Sequence, residues 1–177
     1  IHDCNMFVSR RLAPDTVLLE NEGTGRPGDL FDLRRPDFAP TGEKLTLKEI
    51  RRRENGAHEL QFEEILPEEI GEGYLLMCKS FCSDHYIIRN NYFHDHRARG
   101  LLLQTSHGLV EHNRFENIQG AAIFVMLEIL RDHWYEGSGA ADITIRENTF
   151  QNCNCGTWTT TIDVLAYLPD NTSDYKM

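Results

Sequence analysis

Ile88-Arg89-Asn90-Asn91-Tyr92-Phe93 returns as Val110-Glu111-His112-Asn113-Arg114-Phe115, and again as Ile145-Arg146-Glu147-Asn148-Thr149-Phe150. The shared phrase is apolar, any, any, Asn, any, Phe. Ile1-His2-Asp3-Cys4-Asn5-Met6 fits as a degenerate copy, with Cys4 in the Asn slot and Met6 in the Phe slot. Asn91 and Asn113 stand 22 residues apart. A period of that length, rich in β-formers and carrying a fixed Asn, is the mark of a coil of parallel strands. Each rung pairs with the next at ~4.8 Å, so residues in one slot stack on one another. Phe93, Phe115 and Phe150 are expected as an interior column. Asn91, Asn113 and Asn148 are expected as a second column at a tight turn, where Asn tolerates left-handed backbone and its amide bonds the amides above and below. Gly100-Leu101-Leu102-Leu103 and Ala121-Ala122-Ile123-Phe124-Val125 read as a further strand in their rungs.

The repeat is interrupted over residues 8–80. Strand-like stretches there are Gly28 to Leu33, Leu45 to Ile50, His58 to Ile65 and Tyr74 to Cys78, with Asn55-Gly56 as a hairpin signal. The fold expected is all-β: a right-handed parallel β-helix with a small antiparallel β-barrel-like insert. Rungs are assigned to 1–7 and 81–167, the β-rich insert to 8–80, and a polar tail to 168–177. Because residue 1 falls inside a rung phrase, the chain is read as trimmed, with an exposed coil end through which a homodimer could form.

The net charge is −10. That opposes nucleic-acid and anionic-membrane partners, which call for positive patches. No apolar run of ~18 residues is present, so no membrane span is expected. Five cysteines, an odd number, do not make a disulfide framework, and Cys153-Asn154-Cys155 is too tight for zinc. Neither a metal nor a cofactor is expected.

From Asn113 to Asn148 the spacing is 35 residues, well beyond the regular period. The excess, Met126 to Gly139, holds Glu128, Asp132, Glu136, His133, Arg131, Trp134 and Tyr135. Insertions in repeat folds become loops on one face, often the binding face. Sugar rings pack on Trp, and their hydroxyls pair with Asp, Glu and Arg. Glycoside hydrolysis needs two carboxyl groups, one donating a proton and the other activating water or attacking. Carboxylates on adjacent rungs would lie ~5 Å apart and two rungs apart ~10 Å, near the retaining and inverting separations respectively. An amphipathic loop with solvated acids is the alternative. Phe93-His94-Asp95-His96-Arg97-Ala98-Arg99-Gly100 adds a polar cluster just before a strand; as alternate residues of a strand, Arg97 and Arg99 would share a face.

Four pieces together resemble glycoside hydrolase family 110. They are Arg97-Ala98-Arg99-Gly100 running into Leu101-Leu102-Leu103-Gln104-Thr105, the Asn-x-Phe phrase, Ala121-Ala122-Ile123, and Trp134-Tyr135-Glu136 ahead of Asn148-Thr149-Phe150-Gln151-Asn152-Cys153. The resemblance is strongest over residues 85–155. It implies an exo-acting α-galactosidase that removes terminal α-1,3-linked galactose by inversion, on a right-handed parallel β-helix with barrel-like inserts. Where that family tends to carry Trp-x-Glu-Ser-Gly, this chain reads Trp134-Tyr135-Glu136-Gly137-Ser138-Gly139, with an added glycine, and Leu130 stands where an acid would be expected.

On this reading Glu136 and Asp132 are the acid–base candidates and Glu128 a third. Arg97 and Arg99 hold hydroxyls, Trp134 stacks on the sugar, and His133 and Asp95 complete the substrate contacts. The partner is a carbohydrate ending in galactose, and a secreted or periplasmic setting follows for a glycan-degrading enzyme. The alternatives are a non-catalytic carbohydrate-binding or structural β-helix, and a β-helix polysaccharide lyase using Arg97, Arg99 and Arg131.

Overall fold

A computed structural model describes residues 4–130, 134–156 and 160–167; the polar tail assigned to 168–177 lies outside the described residues. The chain divides into two compact units. One holds the residues up to Cys82 and Ile129–Glu136, the other Ser83–Glu128 and Gly137–Tyr167.

The first unit is antiparallel. Its strands are β1 (Asn5–Ala13), β2 (Thr16–Leu19), β3 (Leu30–Arg34), β4 (Pro40–Arg52), β5 (His58–Phe62) and β6 (Leu75–Cys78). Alternation sends Met6, Val8, Val17, Leu19, Phe31, Leu33, Leu45, Leu47, Leu60 and Phe62 into one core. Phe31 and Phe62 meet edge to face there at 5.7 Å. The β4–β5 hairpin closes through Arg53-Glu54-Asn55-Gly56. Gly56 sits at φ 86° and its N–H donates to the Arg53 carbonyl at 2.9 Å. A glycine takes that left-handed backbone without steric cost.

The strands form two four-stranded sheets, β1-β6-β3-β4 and β1-β2-β5-β4. Neither sheet is itself closed into a barrel: in each, β1 and β4 stand at opposite edges and do not pair. The order runs round all six strands only because β1 and β4 belong to both sheets, passing between them near Val8 and Leu47, where the register is irregular. The expected small barrel-like insert between two rungs is therefore corrected. This is a two-sheet body taking up the chain from Asn5 to Cys78. Asn5, Met6 and Phe7 pair antiparallel with Met77, Leu76 and Leu75, so these three residues are not part of a rung. The expected homodimer through an exposed helix end falls with that rung, because the edge that was to serve is paired, to β6 over Asn5–Phe7 and to β2 from Val8 onward. There is also no α-helix among the described residues to present an end, only the 3-10 turn Lys79–Phe81.

The second unit is the coil. Its strands are β7 (Ile87–Arg89), β8 (Tyr92–His96), β9 (Leu101–Leu103), β10 (Leu109–Glu111), β11 (Arg114–Ile118) and β12 (Ile123–Leu130). After β13 (Trp134–Glu136), in the first unit, the coil resumes with β14 (Thr144–Arg146), β15 (Thr149–Cys153) and β16 (Ile162–Tyr167). Three parallel sheets result. β10 lies between β7 and β14, β11 between β8 and β15, and β12 between β9 and β16. Register follows the sequence phrase: Val110 opposes Ile88 and Ile145, and Phe115 opposes Phe93 and Phe150. The three Phe rings stack with centroids 4.9 and 5.2 Å apart. Phe115, in the middle, is fully buried with Val110, Ile118, Ala122 and Ile123.

The Asn column forms as expected. The Asn91 backbone N–H and side-chain amide both donate to Asn113 Oδ1, at 3.0 and 3.1 Å, and Asn113 does the same to Asn148 Oδ1 at 2.9 and 3.0 Å. The left-handed residue is a different one: it precedes the Asn, at Asn90, His112 and Glu147, with φ of 58, 52 and 54°.

Candidate functional site

A second corner follows β8, β11 and β15. Asp95, Asn117 and Asn152 occupy equivalent positions at φ 55, 55 and 51°. Asn117 Nδ2 donates to Asp95 Oδ1 at 3.0 Å, and Asn152 Nδ2 to Asn117 Oδ1 at 3.2 Å. Asp and Asn suit this corner because their short polar side chains support left-handed backbone. A groove of about 480 Å³ runs along this column. Its polar wall is Asp95, His96, Arg97, Asn117, Gln119 and Asn152, and buried Ile118 contributes an apolar patch.

Asp95 is the carboxylate of this groove among the described side chains. A hydrogen bond with His94 at 2.9 Å, and then the one from Asn117, hold its carboxyl below the usual range. At neutral pH it is an anion, an acceptor for hydroxyl groups and not a proton donor. Arg97, exposed beside it, offers the complementary donors.

Of the expected substrate-binding residues, the groove brings Asp95 and Arg97 together. Arg99 is elsewhere: its guanidinium lies over the Phe124 ring at 5.6 Å. The expectation that the two arginines share a face rested on strand alternation, but residues 97–100 form the corner between β8 and β9, where alternation does not apply. Met126 to Leu130, expected in a loop, continue β12 instead, and Glu128 sits on that strand opposite Tyr167 of β16. Glu136 ends β13. Asp132 and His133 lie outside the described residues, as does the side chain of Trp134. Among the described residues, no cluster of three or more His, Cys, Asp or Glu side chains is arranged to hold a metal ion. Among the described residues, no helix is long and apolar enough to cross a membrane.

A second polar cluster was not singled out in the sequence. On the outward face of β8 and β11, Tyr92 stacks on His94 at 4.5 Å and Arg114 lies over the Tyr92 ring at 5.2 Å. Arg114 pairs with Glu116 at 2.7 Å, and the Tyr92 hydroxyl donates to the same carboxylate. The signal was present: with Phe93 and Phe115 pointing inward, their immediate neighbours must point outward.

Residues 69–162 match the sequence profile of the family described as "Right handed beta helix region". Curated relatives share parts of the chain. An alpha-1,3-galactosidase A of Bacteroides thetaiotaomicron is 45% identical over 67 residues, 37% of this chain and 11% of that protein. An alpha-1,3-galactosidase B of Akkermansia muciniphila is 31% identical over 118 residues, 66% of this chain and 14% of the relative. An alpha-1,3-galactosidase A of Bacteroides fragilis is 28% identical over 109 residues, 61% of this chain and 18% of the relative. In these three comparisons the aligned part of the chain spans between 11% and 18% of the relative's length.

Proposed function

The chain belongs to the right-handed β-helix family, and from that premise we propose that it forms part of a glycoside hydrolase removing terminal α-linked galactose from glycans. The observation that carries the reading is its similarity to proteins named as alpha-1,3-galactosidases, extending to 66% of the chain. The groove along the Asp95–Asn117–Asn152 corner suits that ligand. It pairs an ionised acceptor with an arginine and two amides beside an apolar patch, as a neutral hydroxylated ring requires.

Asp95 is unsuited to donating a proton, because its hydrogen bonds stabilise the charged form. The general acid is therefore assigned to the segment holding Glu128, Asp132 and Glu136, with Glu136 and Asp132 foremost. Arg97 and Asp95 hold hydroxyl groups in this scheme.

Galactose release from a terminal α-galactoside tests the reading. Glu136→Gln or Asp132→Asn is expected to lower kcat by ~10³-fold or more, and Arg97→Ala to raise KM by ~10-fold with less effect on kcat. Inversion appears as release of the β-anomer, followed by proton NMR. Turnover that survives all three carboxylate substitutions, at 128, 132 and 136, overturns the assignment of the acid.

A second reading, carbohydrate binding without hydrolysis, is favoured by one observation: Asp95 has no second carboxylate beside it among the described side chains of the groove. Galactoside binding that Arg97→Ala weakens, with no galactose released, selects it.

A further inference from the structure

Three of the five cysteines meet in the antiparallel unit. Asn5 pairs with Met77, so one step outward Cys4 lies opposite Cys78, and the Cys78 N–H donates to the Cys4 carbonyl at 2.8 Å. Beyond Cys78 the chain makes the 3-10 turn Lys79–Phe81. The Cys82 N–H closes that turn on the Lys79 carbonyl at 3.1 Å, and the Cys82 thiol donates to the Cys78 carbonyl at 3.4 Å. So folded back, Cys82 lies on the Cys78 backbone to which Cys4 is paired, and the thiols of Cys4 and Cys82 interact. Cys78 is placed differently. Its side chain is fully buried in the apolar core with Met6, Phe31 and Leu76, and burial pushes its thiol up to about 11. All three are reduced thiols in this structure.

We propose that Cys4 and Cys82 are a redox pair that closes to a disulfide, clasping the start of β1 to the chain leaving β6. The pairing is selective because the third thiol, Cys78, is occluded by the core, whereas Cys82 is partly exposed and Cys4 touches it. The oxidant is a small-molecule disulfide such as oxidised glutathione. The Cys82 thiolate attacks one of its sulfurs, forming a mixed disulfide and expelling one glutathione thiolate. The Cys4 thiolate then attacks the Cys82 sulfur and expels the second. Two protein thiols and one glutathione disulfide become one protein disulfide and two glutathione thiols, with both protons and both electrons accounted for.

The second step is the slow one. The contact with Cys82, and then burial, hold the Cys4 thiol well above the usual thiol range, so little of it is thiolate at neutral pH. Closure is therefore faster at higher pH. The loop it seals spans the whole antiparallel body, and a crosslink over so long a loop removes much conformational freedom from the unfolded chain.

The test equilibrates the chain in a glutathione redox buffer, blocks residual thiols by alkylation, and maps disulfides by mass spectrometry under non-reducing conditions. A Cys4–Cys82 linked peptide is expected, with a thermal midpoint ~5 °C or more above the reduced chain. Dithiothreitol is expected to reverse both. Cys82→Ser abolishes the shift, while the double substitution Cys153→Ser, Cys155→Ser retains it. Three outcomes overturn the proposal: a linkage through Cys78, a persistent glutathione adduct at Cys82 with no crosslink, or five alkylated thiols in the wild-type chain. Because the mapping is done on the unsubstituted chain, misfolding of a variant does not obscure the answer. A loss of galactosidase activity has no bearing on it.

Discussion

Asn113 uses its whole side chain. Oδ1 accepts two hydrogen bonds from Asn91, and Nδ2 donates to Asn148 Oδ1 and to the Ile88 carbonyl. The residue is buried at 2% exposure, so any partner it loses is not replaced by water. Asn113→Ala is expected to cost ~3 kcal/mol, and Asn91→Ala, at the exposed end of the column, ~1 kcal/mol, both read from urea midpoints. The slot itself was legible in the sequence, since it recurs with a fixed neighbour two residues on. The left-handed residue was not, because Asn90, His112 and Glu147 share no side-chain type. Only the stacked backbone reveals them as equivalent.

Glu111 carries a pH consequence at the same scale. The Arg146 guanidinium bonds its carboxylate at 2.7 and 2.9 Å and holds it below the ordinary value of 4.5. A carboxyl with a depressed folded pKa stabilises the fold above its unfolded value, and that stability is lost as pH falls through the depressed one. Glu111→Gln is therefore expected to be less stable than the parent at pH 7, with the gap closing below about pH 4.5 in denaturation curves taken across the acid range.

Among the elements, the Phe column carries the coil. Phe115 is fully buried with a ring on either side, whereas Phe150 is 36% exposed. Phe115→Ala is expected to destabilise by ~4 kcal/mol and Phe150→Ala by ~1–2 kcal/mol. Gly120 is a different constraint: a Cβ there would lie 2.0 Å from the Ala98 carbonyl oxygen of the rung beside it. Gly120→Ala must push the two backbones apart and is expected to lower stability by ~2 kcal/mol, measured the same way. Strands were readable wherever alternation or an apolar run persisted, as at β8 to β12. The reading failed at 97–100, where a corner looks like a strand to a period-two pattern, and at Met126 to Leu130, where a strand outlasts its sheet neighbour β9.

At the scale of the molecule, the opening residues show what local pattern leaves undecided. Cys4-Asn5-Met6 fits a rung phrase, yet β1 pairs antiparallel with β6, some seventy residues on. A strand's own sequence specifies its two faces and leaves its partner to distant residues. The groove was legible in part: Asp95 and Arg97 stood out as a polar cluster, but Asn117 and Asn152 did not, since only stacking aligns them with Asp95. The net charge of −10 makes a further prediction. A neutral galactoside is expected to bind with less than ~2-fold change between ~0.02 and ~0.5 M salt, whereas a uronate ligand drawn by Arg97 would weaken by ~10-fold, as titration calorimetry would record.

In-register stacking also dictates how such a coil can change over generations. Copying one 22-residue segment of the gene in tandem would return every Phe and Asn to its own column. An insertion of a single codon within β11 would turn Arg114 or Glu116 toward the position Phe115 now fills. Growth by whole duplicated turns, with length variation confined to the corners, is the course left open to its descendants.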